Sequence, residues 1–307
     1  TVTLASAIQS TGGTLAKYGT GTLILSGGNT YTGATTINTG TIRAANNQAF
    51  GTTAGGITVS SGAALELSNN ITIGAESLTV AGTGVDGAGV IKNASGSNTF
   101  QGAITLGSDS TFTSDSGSMT LSGAISGANK TITVNGSANT TLSGIIGTTG
   151  GSIIKEGSGT LTLSAANTFT GGTTLSVGTI TLNHQTALST GAIFVDAGAH
   201  LNASSGVGAV TIPKITGTGY LDLTNSVVAT LSYNDNYTFA GIVTGNGSLV
   251  VTEGTNKTLT LSNASSSYTG STTLTSGILA ISADVNLGSS SSIIFNGGTL
   301  QTTASFT

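Results

Sequence analysis

The strongest constraint on this chain is a phrase that it writes more than once. NTYTGATTINTGTI (residues 29–42) returns as NTFTGGTTLSVGTI (residues 167–180), identical at nine of fourteen positions. A looser copy, SSYTGSTTL, holds Tyr268; a weaker one, NTFQGAITL, holds Phe100; a partial one, YTFAGIV, holds Phe239. Tyr31 to Phe100 is 69 residues, Phe100 to Phe169 is again 69, and Phe169 to Phe239 is 70. Inside the long period lies a short one. TFQGAI, TLSGAI and TLSGII set Phe100, Leu121 and Leu142 at steps of 21 residues. A catalytic motif is needed once, whereas a structural unit that cannot bury its apolar face alone is needed many times.

Within each unit the pattern is that of short strands. GTLILS, GTLTLS, KTITV and KTLTLS alternate Thr or Ser with Leu, Ile or Val. Period two sends aliphatics to one face and hydroxyls to the other. The runs are bounded by SGG, NTG, NGS and NGG, whose Gly and Asn supply the backbone angles of tight turns. Strands every seven to ten residues in a unit of about 21 describe a coil of roughly three strands, and stacked coils make a parallel β-helix. The sequence predicts about 13–14 coils of roughly 21–23 residues, in one continuous solenoid over residues 1–307. A β-sandwich explains the alternation but not the 21-residue step, and 307 residues are too many for one sandwich.

Composition narrows the function classes. Only 6% of residues are charged, against about 25% in ordinary globular chains. Low charge with 37% hydrophobic content excludes a disordered chain. Seven basic residues are spread thinly over a net charge of −4, so no phosphate-neutralising patch forms and nucleic acid is not expected as a partner. No apolar run approaches the roughly 20 residues of a membrane helix. The opening TVTLASAIQS has no signal-peptide pattern. The absence of Cys removes disulfides and thiolate metal sites.

The residues also carry a family likeness. KYGTGTLILSGGNTYTGATTINTGTIRA (residues 17–44) and KEGSGTLTLSAANTFTGGTTLSVGTITL (residues 155–182) resemble the autotransporter-associated β-strand repeat, also called the passenger-associated transport repeat. EGTNKTLTLSNASSSYTGSTTLTSGILAI (residues 253–281) is a looser copy. The resemblance implies a right-handed parallel β-helix belonging to a type V secretion passenger, at the bacterial cell surface or secreted. It implies a rigid stalk with an adhesin role that aids its own secretion and folding. The implied partners are an outer-membrane translocator barrel elsewhere in the full-length chain and host or cell-surface glycans or proteins. Two other readings stand beside it: an extracellular filament subunit self-associating end to end, since a solenoid has two exposed strand edges, and a carbohydrate-active β-helix enzyme.

The enzyme reading is the weaker. It needs clustered carboxylates, and the eleven acidic residues are mostly one per coil. YNDNY around Asp235 reads as a polar turn. AGTGVDGAG (residues 81–89) is one residue short of a calcium nonapeptide and has no tandem copy. The repeats themselves test the remaining candidates. His184 falls where the other copies have Asn46 and Ala283, His200 where they have Ala64 and Thr299, and Arg43 where they have Thr181 and Ala280. No catalytic, cofactor or metal residues are expected, and the chain is read as no enzyme. The positions singled out are structural: Tyr31, Gly33, Phe100, Gly102, Phe169, Gly171, Tyr268 and Gly270, with the aromatics as packing residues and the glycines as turns.

Overall fold

The computed structural model describes residues 1–203, 208–289 and 292–304. The fold is all-β, a parallel β-solenoid of about 14 turns. Helix among the described residues is limited to two 3-10 turns, Val85–Gly87 and Asp284–Leu287. Contacts divide the chain into two compact units, Thr1–Thr162 and Leu163–Thr307.

In the first unit, strands pair in parallel from each coil to the next. One ladder joins Leu15–Lys17, Thr35–Ile37, Ile57–Val59 and Leu78–Gly82. A second joins Val2–Leu4, Thr22–Leu25, Gly40–Ala44, Ala63–Leu67 and Ile91–Asn93. A third opens at Thr72–Ile73 and runs through Ser97–Phe100, Ser118–Leu121 and Asn139–Leu142. The 21-residue step of the sequence is the register of this ladder: Phe100 lies opposite Leu121, and Leu121 opposite Leu142. Elsewhere the step varies, as between Leu23 opposite Ile42 and Leu65 opposite Ile91, and loops absorb the difference.

The second unit is built the same way. One ladder passes through Thr173–Leu175, Ile193–Val195, Ile215–Gly217, Tyr237–Phe239, Thr258–Leu261, Ile278–Ile281 and Thr299–Thr302. Another takes Thr179–Leu182, His200–Ala203, Tyr220–Leu223 and Ile242–Gly245. The last takes Ala209–Ile212, Val228–Leu231, Ser248–Thr252, Thr272–Ser276 and Ile293–Phe295.

Alternation decides which side chains enter the core. In Ser118–Leu121, Met119 and Leu121 are buried while Ser118 and Thr120 are half-buried on the outer face. Each aliphatic so buried contributes about 1.5–3 kcal/mol, and each lies against its counterpart one coil away. Outside, a charged ladder crosses the first unit. Arg43 grips Glu66 at 2.7 Å, Glu66 is opposite Lys92, and Lys92 reaches Asp115 at 2.9 Å. Exposed pairs of this kind are worth less than about 1 kcal/mol each.

The glycines lie at bends, as at Gly33, Gly102, Gly123 and Gly144, and stacking adds a second reason for them. Gly13, Gly33, Gly55, Gly102, Gly123 and Gly144 each stand two residues before a strand of the first ladder or its continuation through Ile104–Ser114, Ile125–Ser126 and Ile146–Gly147. A methyl group on Gly123 would strike the Gly102 carbonyl, and one on Gly144 the Gly123 carbonyl. Gly33 meets Gly13 in the same way, and Gly102 meets the Glu76 carbonyl. None of Gly33, Gly102, Gly123 or Gly270 has a left-handed φ. Glycine is required there because the preceding coil passes too close for a Cβ. Gly171 lies at an exposed bend, and its neighbour Gly172 takes the left-handed φ of 90°.

Gly123→Ala is therefore expected to cost about 1–3 kcal/mol in denaturant unfolding, the scale of core overpacking. Gly21→Ala, whose Cβ meets nothing within 4 Å, is expected to stay within about 0.5 kcal/mol of the parent. Equal effects would remove the stacking explanation.

Candidate functional site

The chemistry of this chain is concentrated inside the coil, at the corner that the repeated phrase builds. Tyr31, Phe100, Phe169 and Tyr268 are all buried, at 1% exposure or less. They cannot serve as ligand platforms. The Thr pair four residues on starts the next strand, as in Thr35–Ile37, Thr173–Leu175 and Thr272–Ser276. The first Thr of each pair points inward and is buried, contrary to a simple division of aliphatics inside and hydroxyls outside. Its hydroxyl is met by the aromatic. Tyr31 Oη lies 2.6 Å from Thr35 Oγ1, and Tyr268 Oη lies 2.6 Å from Thr272 Oγ1. In the copy with Phe169 the tyrosine oxygen is missing, and the buried Thr173 Oγ1 has no partner.

Two residues before the aromatic, the side chain clips neighbouring coils together. Asn29 Oδ1 accepts from Ile8 N at 2.8 Å, and its Nδ2 donates to Ala49 O at 2.6 Å. Asn98 Oδ1 accepts from Ile71 N at 2.8 Å, and Asn167 Nδ2 donates to Ala187 O at 2.7 Å. Ser266 keeps only the shorter reach, its Oγ accepting from Val243 N at 3.2 Å. These are backbone groups in a corner where ladder hydrogen bonds stop, and burial demands that they be paired.

Each of the three full copies also buries a charge in one slot. Lys17 Nζ donates to Tyr18 O at 3.0 Å and Thr39 O at 3.2 Å, as well as to Gly19 O at 2.5 Å. Lys155, 1% exposed, donates to Glu156 O and Gly157 O at 2.6 and 2.5 Å. The third copy inverts the sign. Glu253 accepts from Tyr237 Oη at 2.8 Å and from Tyr233 N at 3.2 Å. Burial lowers the Lys155 ammonium to about 8, opposed by Glu156, and lowers Lys17 as well. Burial raises the Glu253 carboxyl, against the hydrogen bonds from Tyr237 and Tyr233.

Comparison with known families finds three matches to one model, the passenger-associated-transport-repeat, at residues 15–44, 153–182 and 256–281. This chain carries three passenger-associated-transport repeats. They cover the corners at Tyr31, Phe169 and Tyr268, while Phe100 and Glu253 lie outside the matched residues. No curated protein and no solved structure matches the chain. Such repeats mark an autotransporter passenger, a class of typically structural role, and a parallel solenoid is suited to a stalk.

The other candidate residues fall into separate places. Arg43 belongs to the outer charge ladder. Asp86 occupies a tight turn with φ of 51°, and Gly84 bridges to Gly89 beside it. Asp235 accepts from Lys214 at 3.1 Å and from Asn236 N, and these hydrogen bonds hold its carboxyl below the usual range. His184 Nδ1 accepts from Thr186 N at 3.1 Å. His200 is better built than the repeat comparison indicates. Its Nδ1 lies 2.7 Å from Asp222 Oδ2, its ring stacks on Tyr220 at 4.3 Å, and Thr244 Oγ1 holds the other Asp222 oxygen at 2.8 Å. Those partners lie one and two coils ahead, at steps that the register itself supplies.

One acid breaks the glycine column. Glu76 stands in it between Gly55 and Gly102, 3% exposed, and burial pushes its carboxyl up to about 7 against a Gly56 backbone hydrogen bond.

Two measurements check these assignments. Tyr31→Phe leaves the Thr35 hydroxyl buried and unpaired and is expected to cost about 1–3 kcal/mol, with most of the loss restored by adding Thr35→Val. A Tyr31→Phe single variant as stable as the parent would refute the pairing. The second is pH dependence. Glu76 holds its proton more tightly folded, near 7, than unfolded, near 4.5. Its stabilisation is thus full below pH 4.5 and is lost as pH rises through 7, by up to about 3 kcal/mol. Burial also raises the Glu253 carboxyl, which acts on stability with the same sign, so Glu76→Gln should reduce the loss of stability between roughly pH 5 and 7 without abolishing it. An unchanged slope would show that Glu76 does not govern it.

Proposed function

We propose that this chain is a stalk segment of an autotransporter passenger, displayed outside the bacterial cell, and that its repeats assist secretion by folding one coil upon another. The observation that supports this reading most is where the repeat places its polar groups. The Asn29 clip needs Ile8 from one coil and Ala49 from another. Lys17 needs Thr39, and Glu253 needs Tyr237. A coil of this kind is incomplete until its neighbour is present, so order propagates along the chain, as expected of a nearest-neighbour solenoid. Each added coil buries apolar surface on the outer side of the membrane and opposes back-sliding of the chain.

The role is structural rather than catalytic. Glu253 is spent inside the coil, Glu76 stands at the wall of the first-repeat cleft with a backbone hydrogen bond from Gly56, and Glu66, Asp115, Asp222 and Asp235 are each held by a neighbouring side chain. The partners of this reading are an outer-membrane translocator barrel in the full-length protein and a receptor at the surface that the stalk presents.

In the full-length protein, deletion of residues 153–182 as a block is expected to lower the yield of protease-resistant passenger at the cell surface several-fold. Deletion of an equal length between repeats, residues 110–139, should do less. Equal yields from both deletions and the parent would end the secretion role.

A further inference from the structure

We propose that the second unit carries a binding groove for an uncharged linear glycan, centred on Ser189 and Tyr233. The proposal rests on the surface location in the reading above, but not on the secretion role.

The repeat corner itself makes a cleft. In the first repeat, Asn29, Thr30, Gln48, Gly51 and Thr52 line a cavity of about 280 Å³. Their counterparts in the second repeat, Asn167, Thr168, Thr186, Ser189 and Thr190, line one of about 470 Å³. In the second unit a neighbouring cavity shares residues with it. Ser189 and Thr190 also border a space of about 460 Å³ with Thr211, Ser232, Tyr233 and Asn234. The two cavities adjoin at Ser189 and Thr190, a setting for more than one sugar unit.

Ser189 is the decisive residue. Its slot in the first and third repeats holds Gly51 and Gly288, with φ of 75° and 61°. Ser189 has φ of 54°, a region that residues with a Cβ disfavour. The fold therefore prefers glycine here, and the second repeat instead places a hydroxyl where the two cavities meet. Strain kept at one copy of a repeated position points to use of that side chain.

The lining decides the ligand class. Its side chains are hydroxyls and amides, with Ala166, Pro213 and one aromatic ring. No lining side chain carries a charge, as recognition of phosphate, sulfate or carboxylate would require. Tyr233 is fixed before any ligand arrives: Lys214 Nζ lies 5.6 Å from its ring centre, and Tyr237 meets it edge-on at 6.4 Å. The Lys214 charge is itself matched by Asp235 at 3.1 Å. A held aromatic ring beside neutral hydrogen-bonding groups suits the apolar faces and hydroxyl rims of sugars.

The test is calorimetric titration of the 307-residue chain with neutral linear tetrasaccharides (glucan, mannan, xylan and galactan series) and with heparin and polygalacturonate fragments. At least one neutral chain is expected to bind. Tyr233→Ala should weaken it by about tenfold. Ser189→Gly should weaken it by roughly threefold while leaving the unfolding midpoint equal or higher. The proposal is overturned if no neutral chain binds at roughly 10 mM, if the acidic fragments bind better, or if neither variant alters affinity. Any of these results leaves the secretion reading standing, because that reading is tested by surface yield.

Discussion

A backbone wound into stacked coils has only the coils beside it as hydrogen-bonding partners, and everything else in this protein follows from that dependence. Parallel pairing at a fixed register forces each residue to lie against the residue one coil away. The contents of a column therefore have to agree with each other before they agree with anything else. Aliphatic columns fill the interior. Where the preceding backbone passes within reach of a Cβ the column takes glycine, which is why Gly102, Gly123 and Gly144 recur at the same step as Phe100, Leu121 and Leu142.

Corners are the harder problem. There the ladder lapses, and buried carbonyls and amides need other partners. The repeat supplies a small set of side chains for this: an Asn or Ser that clips coils, a Tyr that closes on a Thr, and one buried charge. The second repeat shows what happens when a member of the set changes. Phe169 fills the same space as Tyr31 and Tyr268 but leaves Thr173 unpaired. The third repeat shows a full substitution, in which Glu253 and its donors stand in for a lysine and its acceptors.

Much of the fold was legible in the sequence because period and alternation are sums over many residues. The 21-residue step, the short strands and the buried aromatics all come from such sums. The interior polar groups were harder to see because charge usually signals an outer face. Yet the signal was present: Lys17 shares the parity of Leu15, Lys155 that of Ile153, and Glu253 that of Val251. The glycine column was visible as a pattern of turns, and the chain does bend at Gly33, Gly102, Gly171 and Gly270, but spacing alone does not reveal the close approach of the preceding coil that also calls for glycine. The His200 pairing escaped a comparison among repeats because its partners, Tyr220 and Asp222, lie outside the repeated phrase.

The inverted charge has a consequence for how such a chain can change. Repeats that look alike on paper are not interchangeable parts. A segment starting at Glu253 and moved to the place of Lys17 would arrive without Tyr237, which belongs to the coil before it. The smallest piece that can be duplicated or exchanged intact is therefore larger than the recognisable phrase, and it includes the coil against which that phrase is fitted.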